Sequence, residues 1–205
     1  MTSVIVYSEK EKNDLEKFVE EKIGRIEKVF HEKYSEYVHT DIAVISPDEE
    51  TPYYKLVTIG MGARTMNAPK KCNDRIELMM FLEADWNLET DGMEGLWPVE
   101  LLRKLSKIPF SANTYFGDGH SLNNRGPICD YTDYSAMIFL KGISKSEFLP
   151  PVKFSFFKKA EFLVVYPIYA EEYKKKTNDV YDLLDVIKDE DFPLTKINRK
   201  NYGIK

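Results

Sequence analysis

The stretch from His39 to Trp86 constrains the fold more tightly than any other part of the 205-residue chain. His39-Thr-Asp-Ile-Ala-Val-Ile45, Tyr54-Lys-Leu-Val-Thr-Ile-Gly-Met61 and Glu77-Leu-Met-Met-Phe-Leu82 are apolar runs of strand length, separated by polar or glycine-bearing connections and closed by Asp85-Trp86. From Tyr37 the period is two: Val38, Thr40, Ile42 and Val44 share one face, and His39, Asp41, Ala43 and Ile45 the other. Ser46 to Pro52 is polar and proline-bounded, so this run and Tyr53 to Met61 are predicted to form a long-looped antiparallel pair. In the third run Ile76, Leu78, Met80 and Leu82 face one way and Met79 and Phe81 the other, which predicts a central strand covered on both sides. Yet His39, Asp41 and Asp85 place polar groups among residues that belong in a core.

The flanks supply the cover. Ser8 and Glu11 have the spacing of a capping box, and Leu15, Phe18, Val19, Ile23, Ile26, Val29 and Phe30 recur at helical spacing. This predicts one helix running through Gly24 to Phe30. After a turn at Asp91-Gly92 and Gly95, Trp97-Pro98 is predicted to open a helix carrying Leu101, Leu102, Leu105 and Ile108, stopped by Pro109. Asn113 to Pro127, with a short Tyr115-Phe116 element, reads as a long functional loop. Strands are predicted over 135–140, 152–157 and 162–168, with Pro167 at a strand end or edge. Helices follow over 169–175 and, after an Asn178 cap, from Val180 to Ile187. Phe192 to Lys205 is polar and predicted to be extended and loosely held. The fold class is α+β: a mixed, mostly antiparallel sheet of about six or seven strands with helices packed on it. A chain of this length suits a single domain, 1–205, with an N-terminal helical segment over 1–34.

A net charge of −5 gives no basic field to drive binding to phosphate backbones, so no nucleic-acid partner is expected. Lys153-Phe-Ser-Phe-Phe-Lys-Lys159 mixes cations with aromatics, but alternation turns Phe154 and Phe156 toward the core and Lys153 and Ser155 to water. Cys72 and Cys129 form no CxxC, and without a secretory segment free thiols are expected. The apolar run Thr2 to Tyr7 is too short for a signal peptide, and no run approaches the roughly 18 apolar residues of a membrane span. A cytoplasmic protein with no membrane partner is expected.

GxSxG, P-loop and HExxH motifs are absent from the sequence. The sharpest enzymatic reading is His39-x-Asp41 with His120, since two imidazoles and a carboxylate hold non-haem iron and leave positions open for substrate and oxygen. The plainer reading is that Asp41 hydrogen-bonds His39 within the sheet. Gly117-Asp-Gly-His120 resembles a tight turn more than a phosphate cradle, because no helix follows it. Trp86, Trp97, Tyr53, Tyr54, Tyr115 and Phe116 fall near predicted loop ends, where aromatics with polar tips anchor protein partners; alternatively both tryptophans fill the core. A small-ligand pocket lined by the same His and Trp residues is a third reading.

Taken in order, His39-Thr-Asp-Ile, Pro52-Tyr-Tyr-Lys-Leu-Val-Thr-Ile-Gly-Met61, Met66-Asn67, Glu77-Leu-Met, Asp85-Trp86, Trp97-Pro98 with Leu101, Gly117-Asp-Gly-His120 and Val165-Tyr-Pro-Ile-Tyr-Ala-Glu-Glu172 resemble the suppressor-of-fused domain family. The resemblance spans residues 35–200 and is closest to the bacterial stand-alone type. It implies an α+β domain without known enzymatic activity or cofactor that binds other proteins. Animal members restrain a transcription factor of the Hedgehog pathway through a cleft between two domains, and at this length a single domain without that cleft is expected here. Many bacterial members lie beside polymorphic toxins and are regarded as their immunity proteins. The resulting expectation is an immunity or antitoxin protein that occludes a toxin, whose basic surface an acidic chain would attract. The expected contact residues are Tyr54, Asp85, Trp86, Asp118 and His120. The competing expectation remains a metal-dependent enzyme at His39, Asp41 and His120.

Overall fold

The computed structural model describes residues 3–89, 93–176, 180–187 and 191–204. In chain order the elements are α1 (Glu9–Lys22), β1 (Ile26–Phe30), β2 (Asp41–Ile45), β3 (Tyr53–Ile59), β4 (Ile76–Glu83), α2 (Met93–Ser111), β5 (Ser121–Asn123), β6 (Tyr134–Lys141), β7 (Ile143–Ser144), β8 (Glu147–Phe148), β9 (Val152–Lys153), β10 (Lys159–Tyr169), α3 (Ala170–Tyr173) and β11 (Leu194–Thr195). The main sheet runs β1-β2-β3-β4-β10-β6-β5, with β11 added to β4 and β9 to β10. Its ladders are antiparallel except those of β4 with β10 and β11, so the mixed, mostly antiparallel α+β sheet read from the sequence is present.

The sheet has two cores because its middle strands are apolar on both faces. Ala43, Ile45, Val57, Met79, Phe81 and Val164 pack beneath α1 through Leu15 and Val19. Ile42, Val44, Leu56, Leu78, Met80 and Val165 pack beneath α2 through Trp97, Leu101, Leu102 and Leu105. The facing of residues 76–82 follows the predicted alternation, and β4 is central as expected. The buried exception on β4 is Glu77, whose carboxylate accepts from the hydroxyls of Tyr7 (2.9 Å) and Thr58 (2.6 Å) and from the amides of Gly60, Met61 and Gly62. The three amides converge because Met61–Ala63 forms a 3₁₀ turn behind Gly60, whose φ of 131° disfavours any side chain. A Cβ there would lie 2.0 Å from the His39 carbonyl oxygen.

Several expectations need correction. The capping box of Ser8 and Glu11 does open α1, but the helix ends at Lys22. Gly24, at φ 146°, turns the chain so that Ile26–Phe30 becomes β1, antiparallel to β2. The cause is tertiary: a side chain at Gly24 would meet Ile45 Cγ2 at 2.7 Å, so the backbone reaches the sheet only as glycine. Helix α2 starts at Met93, before Trp97-Pro98, and continues past Pro109 to Ser111. The predicted turn at Asp91-Gly92 and the Asn178 cap lie outside the described residues. The region after it holds a 3₁₀ turn, Val180–Leu183, in place of the predicted helix. Within the predicted 113–127 loop, β5 pairs with β6, and Phe116 is buried in a stack on Phe139. Pro167 lies two residues from the end of β10 and past its ladder to β4, where the missing amide is tolerated. The expected strand over 152–157 is only β9, and Phe156 points to water.

The C-terminal segment departs furthest from expectation. β11 adds to β4 opposite Phe81 and Leu82, and beyond it Arg199 forms a two-pronged ion pair with Glu172 at 2.7 and 2.6 Å. The two side chains are 1% and 0% exposed. The guanidinium is surrounded by the rings of Tyr134, Tyr166, Tyr169 and Tyr202, and the Tyr169 hydroxyl donates to the Arg199 carbonyl. A loosely held tail is thereby fastened to the sheet. Arg199→Ala leaves Glu172 buried and unpaired and is predicted to cost about 3–5 kcal/mol in urea unfolding at neutral pH. An exposed-tail substitution such as Ile204→Ala is predicted to stay within about 0.5 kcal/mol.

Candidate functional site

Helix α2 leaves an apolar groove beside it. On one side lie Trp97, Leu101 and Leu105 and on the other Ile128 and Tyr131, with Leu122 and Met137 along the sheet; the cavity is about 210 Å³. A second cavity of about 270 Å³ shares Trp97 and Tyr131 and extends to Trp86, Gly95 and Ile197. Trp86 is 3% exposed, edge-on to Trp97 at 5.6 Å, and its indole N–H donates to the Gly95 carbonyl at 2.9 Å. That bond fastens the first turns of α2 to the end of β4 and fixes the depth of the groove. Around it Met93, Tyr131 and Ile197 are about half exposed, apolar bulk held at the surface by a rigid floor. Glu94, Glu100 and Lys104 put charges of both signs along it.

The residues expected to touch a partner do not form one surface. Tyr54 is half-buried opposite Leu82, and Asp85 is exposed in the turn beyond β4, so these two and Trp86 share one end of the sheet. Asp118 and His120 lie at the other end, because β6 runs antiparallel to β10, which parallels β4. There Asp118 accepts from the Lys141 amide (2.8 Å) and the Tyr181 hydroxyl (2.6 Å), and His120 meets Tyr115 edge-on at 4.9 Å. Trp86 lies in the core and lines the second cavity only from within. The groove residues Met93, Leu105, Ile128 and Tyr131 were not singled out from the sequence as contacts. Met93 and Leu105 belong to the apolar residues of α2, whereas Ile128 and Tyr131 come from the connection between β5 and β6 and carried no signal in the sequence.

The proposed metal triad is not brought together. His39 precedes β2, whereas His120 directly precedes β5 and its carbonyl accepts from Phe139 in β6, five strand-to-strand steps across the sheet and about 24 Å away at ordinary strand spacing. Asp41 instead anchors a polar cluster. One oxygen accepts from His39 Nε2 (2.9 Å) and the Glu32 amide (3.0 Å); the other meets His31 Nδ1 at 3.1 Å and Lys12 at 3.6 Å. His31 escaped the sequence reading because the helix was extended to Phe30. The Phe30–Ile42 pairing of β1 with β2 carries the next residue, His31, across to Asp41. Glu32 accepts from Lys107, Ser35 and the Thr40 amide, while Arg103 donates to the Phe30 and His31 carbonyls. The segment 31–40 is thus strapped to α2. Burial works to raise the Asp41 carboxyl, but the Glu32 amide and the two imidazoles outweigh it, holding it below the ordinary carboxylate range.

Residues 36–200 match the family described as "Suppressor of fused protein (SUFU)". The crystal structure of a putative SUFU homolog from Neisseria gonorrhoeae FA 1090 is similar with a TM-score of 0.60 and 16% identity, over 96% of this chain and 96% of that one. The Sufu-Fu complex is similar with a TM-score of 0.58 and 11% identity, over 79% of this chain and 77% of that one. Drosophila Suppressor of Fused gives 0.57 and 11%, over 79% of this chain but 42% of its own. No curated protein matches the chain.

The Asp41 cluster has a signed consequence. A depressed folded-state pKa contributes stability above the unfolded value near 4 and loses it as pH falls through the folded value. Asp41→Asn is therefore predicted to lower unfolding free energy by about 1–3 kcal/mol at pH 7, with the difference shrinking in acid; urea titrations of both proteins over pH measure it.

Proposed function

The chain belongs to the suppressor-of-fused family, and on that premise we propose that it is a non-enzymatic protein-binding module, an immunity protein that neutralises a toxin by covering it. The observation that carries the reading is the α2 groove, in which a floor of two tryptophans lies beneath half-exposed Met93, Tyr131 and Ile197. Aromatic and methionine side chains over a packed floor are the composition of binding hot spots, because aromatic rings shed much apolar surface with few rotatable bonds and methionine adapts its shape to the partner. A net charge of −5 favours encounter with a basic partner. The similar Sufu-Fu structure is described as a complex.

The titratable groups support the same reading. Burial pushes the Glu77 carboxyl up to about 7, the value at which a proton-transfer group works well, but the side chain has no exposure and its donors all belong to the fold. Asp41 is committed to His31, His39 and Lys12 in the same way. The groove carries apolar surface and few polar groups, which suits recognition.

Co-expression with the product of a neighbouring toxin-like gene tests the proposal. A co-purifying complex and protection of the host are expected, with Met93→Ala/Tyr131→Ala weakening the complex at least about tenfold. Absence of both the complex and protection would remove the immunity reading. A complex untouched by the double substitution would keep the module and move its contact surface away from α2.

A further inference from the structure

The turn between β9 and β10 carries two side chains that nothing in the protein covers. Phe156 and Phe157 are 93% and 94% exposed and meet edge-on at 4.9 Å, the most exposed large apolar pair among the described residues. The turn beneath them is built to hold them out. The amides of Phe154 and Ser155 donate to the Lys158 carbonyl, the Lys158 amide donates to Ser155 Oγ, and Phe154 turns inward against Tyr7 at 4.9 Å. Lys158 is tied to Glu11 at 2.6 Å. A tip that is already ordered gives up little chain entropy when it docks.

The base of the turn adds a second observation. Lys153 and Lys159 are exposed and directly opposite each other in the β9–β10 ladder, a like-charge pair that disfavours the ladder carrying it. Glu161 approaches Lys159 only to 3.9 Å, and residues 153–159 contain three lysines and no acid. An anionic partner would relieve that repulsion. Its apolar layer must lie deeper than its charge, because the phenylalanines extend beyond the lysines by roughly three residues, at most about 10 Å.

We propose that the Phe156–Phe157 tip docks on an anionic lipid surface, the rings entering the headgroup–acyl boundary and Lys153 and Lys159 meeting the headgroups. A bilayer presents negative charge above an apolar layer at about the required depth of 5–10 Å. It also accepts a convex tip without a matching cavity. No described helix is long and apolar enough to cross a membrane, and docking of this kind needs none, so the expectation of no membrane partner, which rested on spans, does not bear on it. The tip shares no residue with the α2 groove.

Co-sedimentation of the full chain with vesicles of phosphatidylcholine mixed with phosphatidylglycerol, against phosphatidylcholine alone, tests it. Binding is expected to the anionic vesicles and to fall with added salt. Phe156→Ser/Phe157→Ser should lose at least about tenfold in partitioning with unchanged circular dichroism, and Lys153→Gln/Lys159→Gln should lose the preference for anionic lipid. Absence of wild-type binding, or binding retained by the serine variant, overturns the proposal. So does a wild-type protein that ignores vesicles but self-associates through the two phenylalanines, since the tip would then be a protein contact.

Discussion

Glu77 is a charged residue type with no exposure to water in the strand that carries both cores, and the surrounding structure is arranged around keeping it satisfied. An unpaired carboxylate in that position would be prohibitive, yet its two oxygens accept five hydrogen bonds from three separate parts of the chain. Tyr7 brings the N-terminal segment, Thr58 the end of β3, and the Gly60–Gly62 amides the turn that follows. Thr58 in turn accepts from the Leu78 amide, so strand pairing and carboxylate share one network. Gly60 is required because His39 passes directly behind it. The Glu77 position thus couples the start of β2, the end of β3 and the docking of the segment ahead of α1.

Two further buried carboxylates do similar work at the periphery. Asp41 with His31, His39 and Lys12 closes the β1–β2 edge, and Glu172 with Arg199 closes the C-terminal end inside a ring of tyrosines. The surface features are fastened separately: the start of α2 by the Trp86–Gly95 bond, and the phenylalanine tip by the turn's own hydrogen bonds and the Lys158–Glu11 pair. Binding by preformed surfaces loses less in ordering than binding by mobile loops, which suits a protein whose proposed task is to cover another.

The sheet from Asp41 to Leu82 was legible because period two and two apolar faces leave few other placements; the alternation read from Tyr37 began too early, since Tyr37 at φ 64° keeps residues 37–40 out of β2. Residues 26–30 were not, since Ile26, Val29 and Phe30 fit a helical spacing as well as a strand; the decision is made by Ile45 pressing on Gly24 from another strand. The anchored C-terminus was hidden for a similar reason: Arg199 reads as solvated until its partner, 27 residues back, is brought beside it. Alternation placed Phe156 inward, but a tight turn interrupts alternation, and the residue emerged at the tip. His39 and Asp41 were paired correctly by face, while His31 required the β1 register. The groove was invisible as a site because Leu101 and Leu105 look like ordinary core stripe and Ile128 and Tyr131 like loop residues, and only the packing brings them to one place.

The central claim is that the Glu77 network is integral to the sheet. Native-state hydrogen exchange of the Gly60, Met61 and Gly62 amides under increasing denaturant measures this directly. The account predicts that all three exchange only with the free energy of global unfolding, together with the Leu78 amide. Exchange of the three through a lower-energy opening, with Leu78 still protected, would contradict it.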